Sequence, residues 1–294
     1  MNRANLDRLI TDALAIEAQD AKDAGALGYM ARLLVQATLP HSRPQGNEFE
    51  RCNGAFTLVM LAPSKIGLPY GVIPRLMMAW MTTEAVRTKR RELVLGDSMS
   101  DFMGQLDMMP TGGRWGSITR LRDQSRRLFT TSVSCFYDGA NAAGESGFRI
   151  ADQHLLWWDP QSPNQQSLFN STVMLSERFY EEVRTSPVPI DMRAMKALKK
   201  SPLALDIYFW LTYRLSYLRQ ARVIPWPALQ LQFGASYRAD GQGARDFKRA
   251  FLRELKKVAI LYPTAKVSDE DGGLYLQPSA THIPLRPRLE IPER

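Results

Sequence analysis

Two stretches of the chain alternate apolar and basic positions in the same way. From residue 117 to 129, turning about 100° per residue gathers Ile118, Leu121, Ser125, Leu128 and Phe129 on one side of a helix. Thr119, Arg120, Asp123, Arg126 and Arg127 fall on the other side. From 242 to 258 the division is cleaner, with Phe247, Phe251, Leu255 and Val258 facing one way and Gln242, Arg245, Asp246, Arg249, Arg253 and Lys256 the other. An apolar stripe that locks a helix to its own domain while a basic face points outward is what a helix lying in a DNA groove requires.

The surrounding pattern places each helix third in a similar series. A strand over 56–61 and a loop over 63–71 precede a helix over 74–88, with Pro74 in its first turn. A short strand over 92–95, a helix over 98–108 capped by Ser98, a turn around Pro110, Gly112, Gly113 and Gly116, and a helix capped by Ser117 follow. Period-two alternation from Ser132 (Val133, Cys135, Tyr137) predicts a hairpin with a loose tip over 139–147. After the Pro-rich break at 186–189 and the bases Arg193, Lys196, Lys199 and Lys200, the order begins again. An aromatic helix over 202–218 is followed by a strand over 223–226, a helix over 227–232 ended by Gly234, and a long helix reaching Val258. Strands over 262–267 and 274–277 then flank a polar turn.

This repeat of element order predicts an α+β protein with two tandem winged helix-turn-helix domains. Residues 1–50 form a helical N-terminal extension and a flexible linker, 51–185 the first domain, 186–200 a basic linker, 201–282 the second domain, and 283–294 an extended Pro-rich tail. The candidate DNA contacts are Arg114, Ser117, Thr119, Arg120, Gln124, Arg126 and Arg127 in the first domain, and Gln242, Arg245, Arg249, Arg253 and Lys256 in the second. Arg suits bidentate pairing with guanine and Gln with adenine, so the second helix can read bases as well as bind phosphates. A solvated basic surface helix would carry the same pattern, but two at equivalent positions are harder to attribute to chance. Lys65 and the 193–200 segment are weaker candidates for holding phosphates.

Composition agrees with this reading. The 294 residues are 45% apolar, and 38 Lys and Arg against 30 Asp and Glu give a formal charge of +8, which favours a polyanionic partner. Anionic lipid is the weaker alternative, since no apolar run approaches the roughly 20 residues that span a bilayer. Arg3, Asp7 and Arg8 interrupt any secretory signal, so a cytoplasmic protein is expected. Cys52 and Cys135 are distant and lack zinc spacing, and are read as small buried thiols. His41, His154 and His282 are isolated and no phosphate-binding GxxxxGK[ST] loop occurs, so neither a cofactor nor catalytic chemistry is expected. The one enzymatic alternative is a nickase or primase using the acids Asp269, Glu270 and Asp271 with a metal. The six Trp and the Tyr-rich helix could stack exposed bases, but their helical spacing favours core packing.

Longer motifs add a family. The runs Gly67–Leu76, Ala79-Trp80, Thr83–Lys89, Arg91–Gly96, Gly112–Arg122, Gln124 and Arg126–Phe129 resemble the RepA-type plasmid replication initiators of Gram-negative bacteria. Leu205–Arg214, Trp226, Phe233-Gly234, Phe247, Leu255 and Gly273-Leu274 extend the resemblance, which runs from Gly28 to His282. It implies tandem winged helices that bind origin repeats (iterons), strain the duplex near an AT-rich segment, and bring in the host initiator and replicative helicase. It also implies a choice between dimers that repress their own promoter and monomers that occupy iterons, and no catalytic site. A transcription repressor of the same fold without initiator activity remains the alternative.

Overall fold

The computed structural model describes residues 2–139, 142–156, 163–164 and 171–284, in a mixed α+β fold. The expected tail from 285 onward and residues 140–141 of the hairpin tip lie outside the described residues.

The chain opens with α1 (Arg3–Ala18), whose Asn2 side chain caps the amide of Asn5. A strand and a short helix follow, β1 (Leu27–Ala31) and α2 (Arg32–Gln36). The hairpin β2 (Glu48–Asn53) and β3 (Phe56–Leu61) leads to α3 (Val72–Thr88). Pro74, Met77, Met78, Trp80 and Met81 of α3 are buried around its whole circumference, so it is a core helix. Lys89, with φ 56°, ends it in the left-handed region.

Next come β4 (Glu92–Val94), α4 (Met99–Gln105) and α5 (Ser117–Thr130). Ser98 caps α4 as expected, its side chain accepting from the amide of Asp101. Four strands follow: β5 (Ser132–Gly139), β6 (Ala142–Arg149), β7 (Ala151–Leu155) and β8 (Thr172–Leu175). The second half runs α6 (Glu177–Thr185), β9 (Pro187–Asp191), α7 (Met192–Leu198) and α8 (Pro202–Tyr217). It closes with β10 (Arg222–Pro225), α9 (Trp226–Phe233), α10 (Gly241–Leu261), β11 (Val267–Glu270) and β12 (Gly273–Leu276).

One topology occurs twice. In the first half α3, β4, α4, α5, β7 and β8 build an antiparallel sheet in the order β4-β8-β7. In the second, α8, β10, α9, α10, β11 and β12 build one in the order β10-β12-β11. In each the first strand pairs with the third, and the second lies outside. The hairpin expected to close the first unit is not part of this sheet: β5 and β6 extend β2 and β3 into a separate four-stranded sheet, β2-β3-β5-β6. Period-two alternation identified β5 as a strand but could not choose its partner, because the face that buries Val133 suits either sheet. The hairpin is also fully paired from Ser132↔Arg149 to Gly139↔Ala142, so the loose tip expected from 139 to 147 is ladder instead. In the second half the strand expected over 262–267 begins only at Val267: Tyr262 is the C-cap of α10 and a turn follows, closed by the amide of Ala265 donating to Tyr262 O.

The two halves are joined where linkers were expected. β1 pairs antiparallel with β9, from Leu27↔Asp191 to Ala31↔Pro187. The segment after α2 is buried from Ala37 to Pro40, where the flexible connection expected over 40–46 begins, while Ser42, Arg43, Gln45 and Gly46 of that connection are exposed. Its carbonyls serve a cation on α3. Arg75 is fully buried and all five of its N–H groups have acceptors. Nε and Nη2 hold the Asp206 carboxylate on α8 at 2.7 and 2.6 Å, and the other donors reach the carbonyls of Leu39, Pro40 and Gly71. A buried guanidinium satisfied in this way fixes three segments at once.

His41 joins this cluster, with Nε2 2.7 Å from Asp206 Oδ2. Burial lowers its pKa more than the carboxylate raises it, so the ring is neutral and its Nε2–H donates. For Asp206, burial alone would raise the pKa, but the charge and hydrogen bonds of Arg75 outweigh it and hold the carboxyl below its ordinary value. Burial also lowers His282, set 2.8 Å from the Tyr208 hydroxyl, and His154, which stacks near Phe129. The sign is the same for all three histidines. Below about pH 6.5 the unfolded chain takes up protons that the folded histidines refuse, so stability falls as pH drops through that range. The depressed Asp206 adds a loss only at lower pH, as its carboxylate is finally protonated. Urea midpoints should therefore decline from about pH 7.5 to about pH 5.5. A rising midpoint would contradict these assignments.

The cysteines are half-buried on β2 and β5, the two strands that flank β3, rather than core, and burial pushes the Cys135 thiol up to about 11. The aromatic helix α8 buries Tyr208, Phe209 and Trp210, as its spacing predicts.

Candidate nucleic-acid interface

α10 is positioned by Asp240, whose side chain accepts from the amide of Gly243 at 2.7 Å. A Cβ on Gly243 would sit 2.0 Å from Arg238 O, so this end of the helix can lie this close to the preceding loop only with glycine. Phe247, Phe251, Leu255 and Val258 are buried as expected, and Phe251 packs edge-on against Trp226 and Phe233. The opposite face is open: Gln242, Arg245, Arg249, Arg253 and Lys256 are all exposed.

That face is ordered by its own polar contacts. Gln242 Nε2 donates to Asp246 at 3.0 Å and Gln242 Oε1 accepts from Arg245 Nη2 at 2.9 Å, while Arg249 stands 3.6 Å from Asp246. Arg253 and Lys257 share Glu254 at 3.0 and 2.6 Å. Burial tends to raise the pKa of Glu254, but its bonds to Lys257 and Arg253 hold the carboxyl below its ordinary value. Lys248, also basic, is turned aside by Asp269 at 2.9 Å and lies over the Trp226 ring. Asp269 is thereby paired, and among the described residues no group of acids, histidines or cysteines is arranged to hold a metal.

α5 divides differently from its sequence pattern. Thr119, Arg120 and Arg126 are exposed, and Arg114 is exposed in the preceding loop. Ser117, Gln124 and Arg127, assigned to the DNA face from the sequence, are buried. Ser117 is the first helical residue rather than the N-cap, and its hydroxyl donates to Met109 O and accepts from the amide of Thr111. Gln124 Oε1 accepts from the amide of Tyr70 at 2.9 Å. Arg127 holds Asp123 and Leu68 O and lies over the Tyr70 ring. The loop at 68–70 folds against this flank of α5 and engages both side chains, donating to Gln124 and accepting from Arg127; its position depends on α3, which no helical wheel contains. Arg122, exposed and basic, was overlooked on that wheel because it sits at the rim of the apolar stripe.

Two of the four linker bases are committed within the fold, while Lys196 and Lys200 are exposed. Arg193 is held by Asp191 and by the carbonyls of Ala15 and Gln19, which fastens α1 to the body, and Lys199 bonds Asp107. Lys65 is exposed.

Binding through such faces is electrostatic at base. Affinity for duplex DNA should fall linearly on a log scale with salt, by about 0.9 per phosphate neutralised, and Arg126→Ala should reduce that slope by about one. A salt-independent affinity would exclude this face.

The model of the family described as plasmid-encoded RepA protein matches residues 68–227, more than half of the chain. The chain belongs to this family. The matched range of this RepA-family protein includes α3, α5 and most of the Arg75–Asp206 joint, whereas α10 lies beyond it. Two crystal structures of RctB align with the chain. A selenomethionine form of domains 2 and 3 aligns with a TM-score of 0.53 at 13% identity, covering 83% of this chain and 95% of that one. A structure of RctB domains 2–3, residues 155–483, aligns at 0.49 and 14% identity, over 83% and 94%. At such identity the likeness is one of fold. No curated protein matches the chain. No helix among the described residues is long and apolar enough to cross a membrane.

Proposed function

We propose that this RepA-family protein is a plasmid replication initiator that binds repeated sites in duplex DNA through two winged-helix units. The observation that carries the reading is the doubled topology: one element order and one sheet order occur twice, each with a third helix that turns arginines to solvent. In the second unit the wing is β11 and β12, joined by a tight turn in which Gly272 adopts φ +85°. In the first it is β7 and β8.

The division of labour follows from the faces. α10 presents Gln242, Arg245, Arg249 and Arg253 along one side, a donor-rich surface suited to base edges in the major groove. α5, with Arg120, Arg122 and Arg126 exposed but Gln124 and Arg127 committed internally, is suited to phosphates and sets register. The Arg75–Asp206 joint and the β1–β9 pair hold the two units in one relative geometry, so sites must match that spacing and the duplex must bend where it does not. Strain of this kind near an AT-rich segment lowers the cost of opening it. The protein has no catalytic role in our reading; a host initiator and replicative helicase supply unwinding, and monomers occupy iterons while dimers repress the promoter.

Footprinting across the DNA flanking its gene should show regularly repeated protection beside an AT-rich segment, and a plasmid carrying that region should replicate only when the protein is supplied. Promoter repression without support of replication would instead make it a repressor of the same fold.

A further inference from the structure

We infer that Trp115 is a base-stacking residue, held out by the loop between α4 and α5 to receive an unstacked base of the bound DNA. This rests on the duplex-binding reading of α5 and adds to it a contact of a different chemical kind.

Most large apolar side chains here are core. Met109, 81% exposed, and Trp115, 80% exposed, are the most solvent-facing of the large apolar residues described, and both belong to this one loop. A single exposed apolar residue on a floppy tip would need no explanation. This loop is not floppy. The Ser117 hydroxyl donates to Met109 O at 2.6 Å and accepts from the Thr111 amide at 2.9 Å, while the Thr111 hydroxyl accepts from the Ser117 amide at 2.9 Å. Thr119 Oγ1 donates to Gly113 O at 2.9 Å, and the Gly116 amide to Gly113 O at 3.1 Å. The backbone is drawn so close that a Cβ on Gly116 would stand 2.2 Å from Thr111 O and 2.3 Å from Gly112 O. Gly113, at φ +87°, takes a conformation open to glycine. The sequence thus builds a rigid knot whose outward product is an indole in water.

The surroundings select the occupant. From Thr111 to Arg120 the chain carries two arginines and no acid. The guanidinium of Arg114 lies 5.1 Å from the indole centroid, and Arg120 is exposed on the first turns of α5. A cation over one face of an aromatic ring leaves the other face for a planar partner, and the flanking charge suits the phosphates on either side of a base. An acidic or amphipathic peptide would satisfy the charge but would not need a rigid, flat, singly presented ring. A fully stacked duplex offers no base face. Stacking therefore favours a step that is already kinked or unpaired, which is the state an initiator produces.

The test uses the full chain and two fluorescently labelled short duplexes of the same sequence, one fully paired and one with a mismatched central step. The wild-type protein should bind the mismatched duplex more tightly. Trp115→Ala should remove that preference, weakening binding to the mismatched duplex by roughly 5- to 100-fold while leaving the paired duplex nearly unchanged. Trp115→Phe should keep most of the preference. The exposed position means the thermal unfolding midpoint of each variant should match the wild type, so loss of folding does not enter. An unchanged preference in Trp115→Ala, or equal weakening on both duplexes, overturns the stacking role while the DNA-binding reading stands; the unchanged case returns the indole to a protein partner. Failure of the wild-type protein to bind either duplex overturns both.

Discussion

Asp206→Ala is expected to destabilise the protein by about 3–5 kcal/mol, the cost of stranding a buried charge by removing its partner. Asp206 answers more than one cation. It holds Arg75 through two bonds and His41 through a third, and Arg51 lies close enough for its charge to act on it. Arg51 is itself buried in β2 with Nε and Nη1 unpartnered, over the Phe49 ring at 4.7 Å, and burial lowers its pKa to about 10. Without the carboxylate two guanidinium groups would share a dry site with no counter-charge. Chemical denaturation of wild type and variant measures the loss. Because the cluster ties α3, the 39–41 segment and α8 together, the variant should also bind a site spanning both units more weakly than its remaining folded fraction accounts for. A loss below about 1 kcal/mol would mean that water enters and replaces the carboxylate. The joint would then not be rigid.

Arg249→Ala should weaken binding to the specific site by about 1–3 kcal/mol, with a smaller effect on unrelated sequences. Arg249 is 76% exposed, at the middle of the open face of α10, and its nearest acid, Asp246, stands 3.6 Å away. That pair is loose enough to open without a large penalty, since an exposed ion pair of this length contributes little. Arg253 starts from a bond to Glu254 at 3.0 Å and must give up more, so its replacement should cost less net affinity. Competition binding with the footprinted site and with random duplex separates the two terms. An equal loss on every sequence would reduce Arg249 to a phosphate contact.

How much of this was legible depends on the range of the interaction concerned. The faces of α10 were readable because its apolar stripe is regular and no loop from elsewhere covers the basic side, so local periodicity and final exposure coincide. On α5 they do not coincide. Gln124 and Arg127 sit on the polar side of the wheel, yet the 68–70 loop reaches across and takes their hydrogen bonds. Trp115 was placed in the core with the other tryptophans, since composition favours burial; only the knot around Ser117 and Gly116 turns it outward.

Helices α3, α4, α5, α8, α9 and α10 and the basic third position in each half were determined by the sequence itself, since they follow from periodicity, capping and turn residues acting over a few positions; the short α2, α6 and α7 and the strands β7 to β9 were not. Strand partnership was not, because a strand's alternation states which face is buried and not which edge it meets; β5 joined β3 where a wing was expected. Nor was the union of the two halves. The pairing of β1 with β9 and the bond of Arg75 to Asp206 link residues more than a hundred positions apart, and only the folded chain brings such groups within hydrogen-bonding distance.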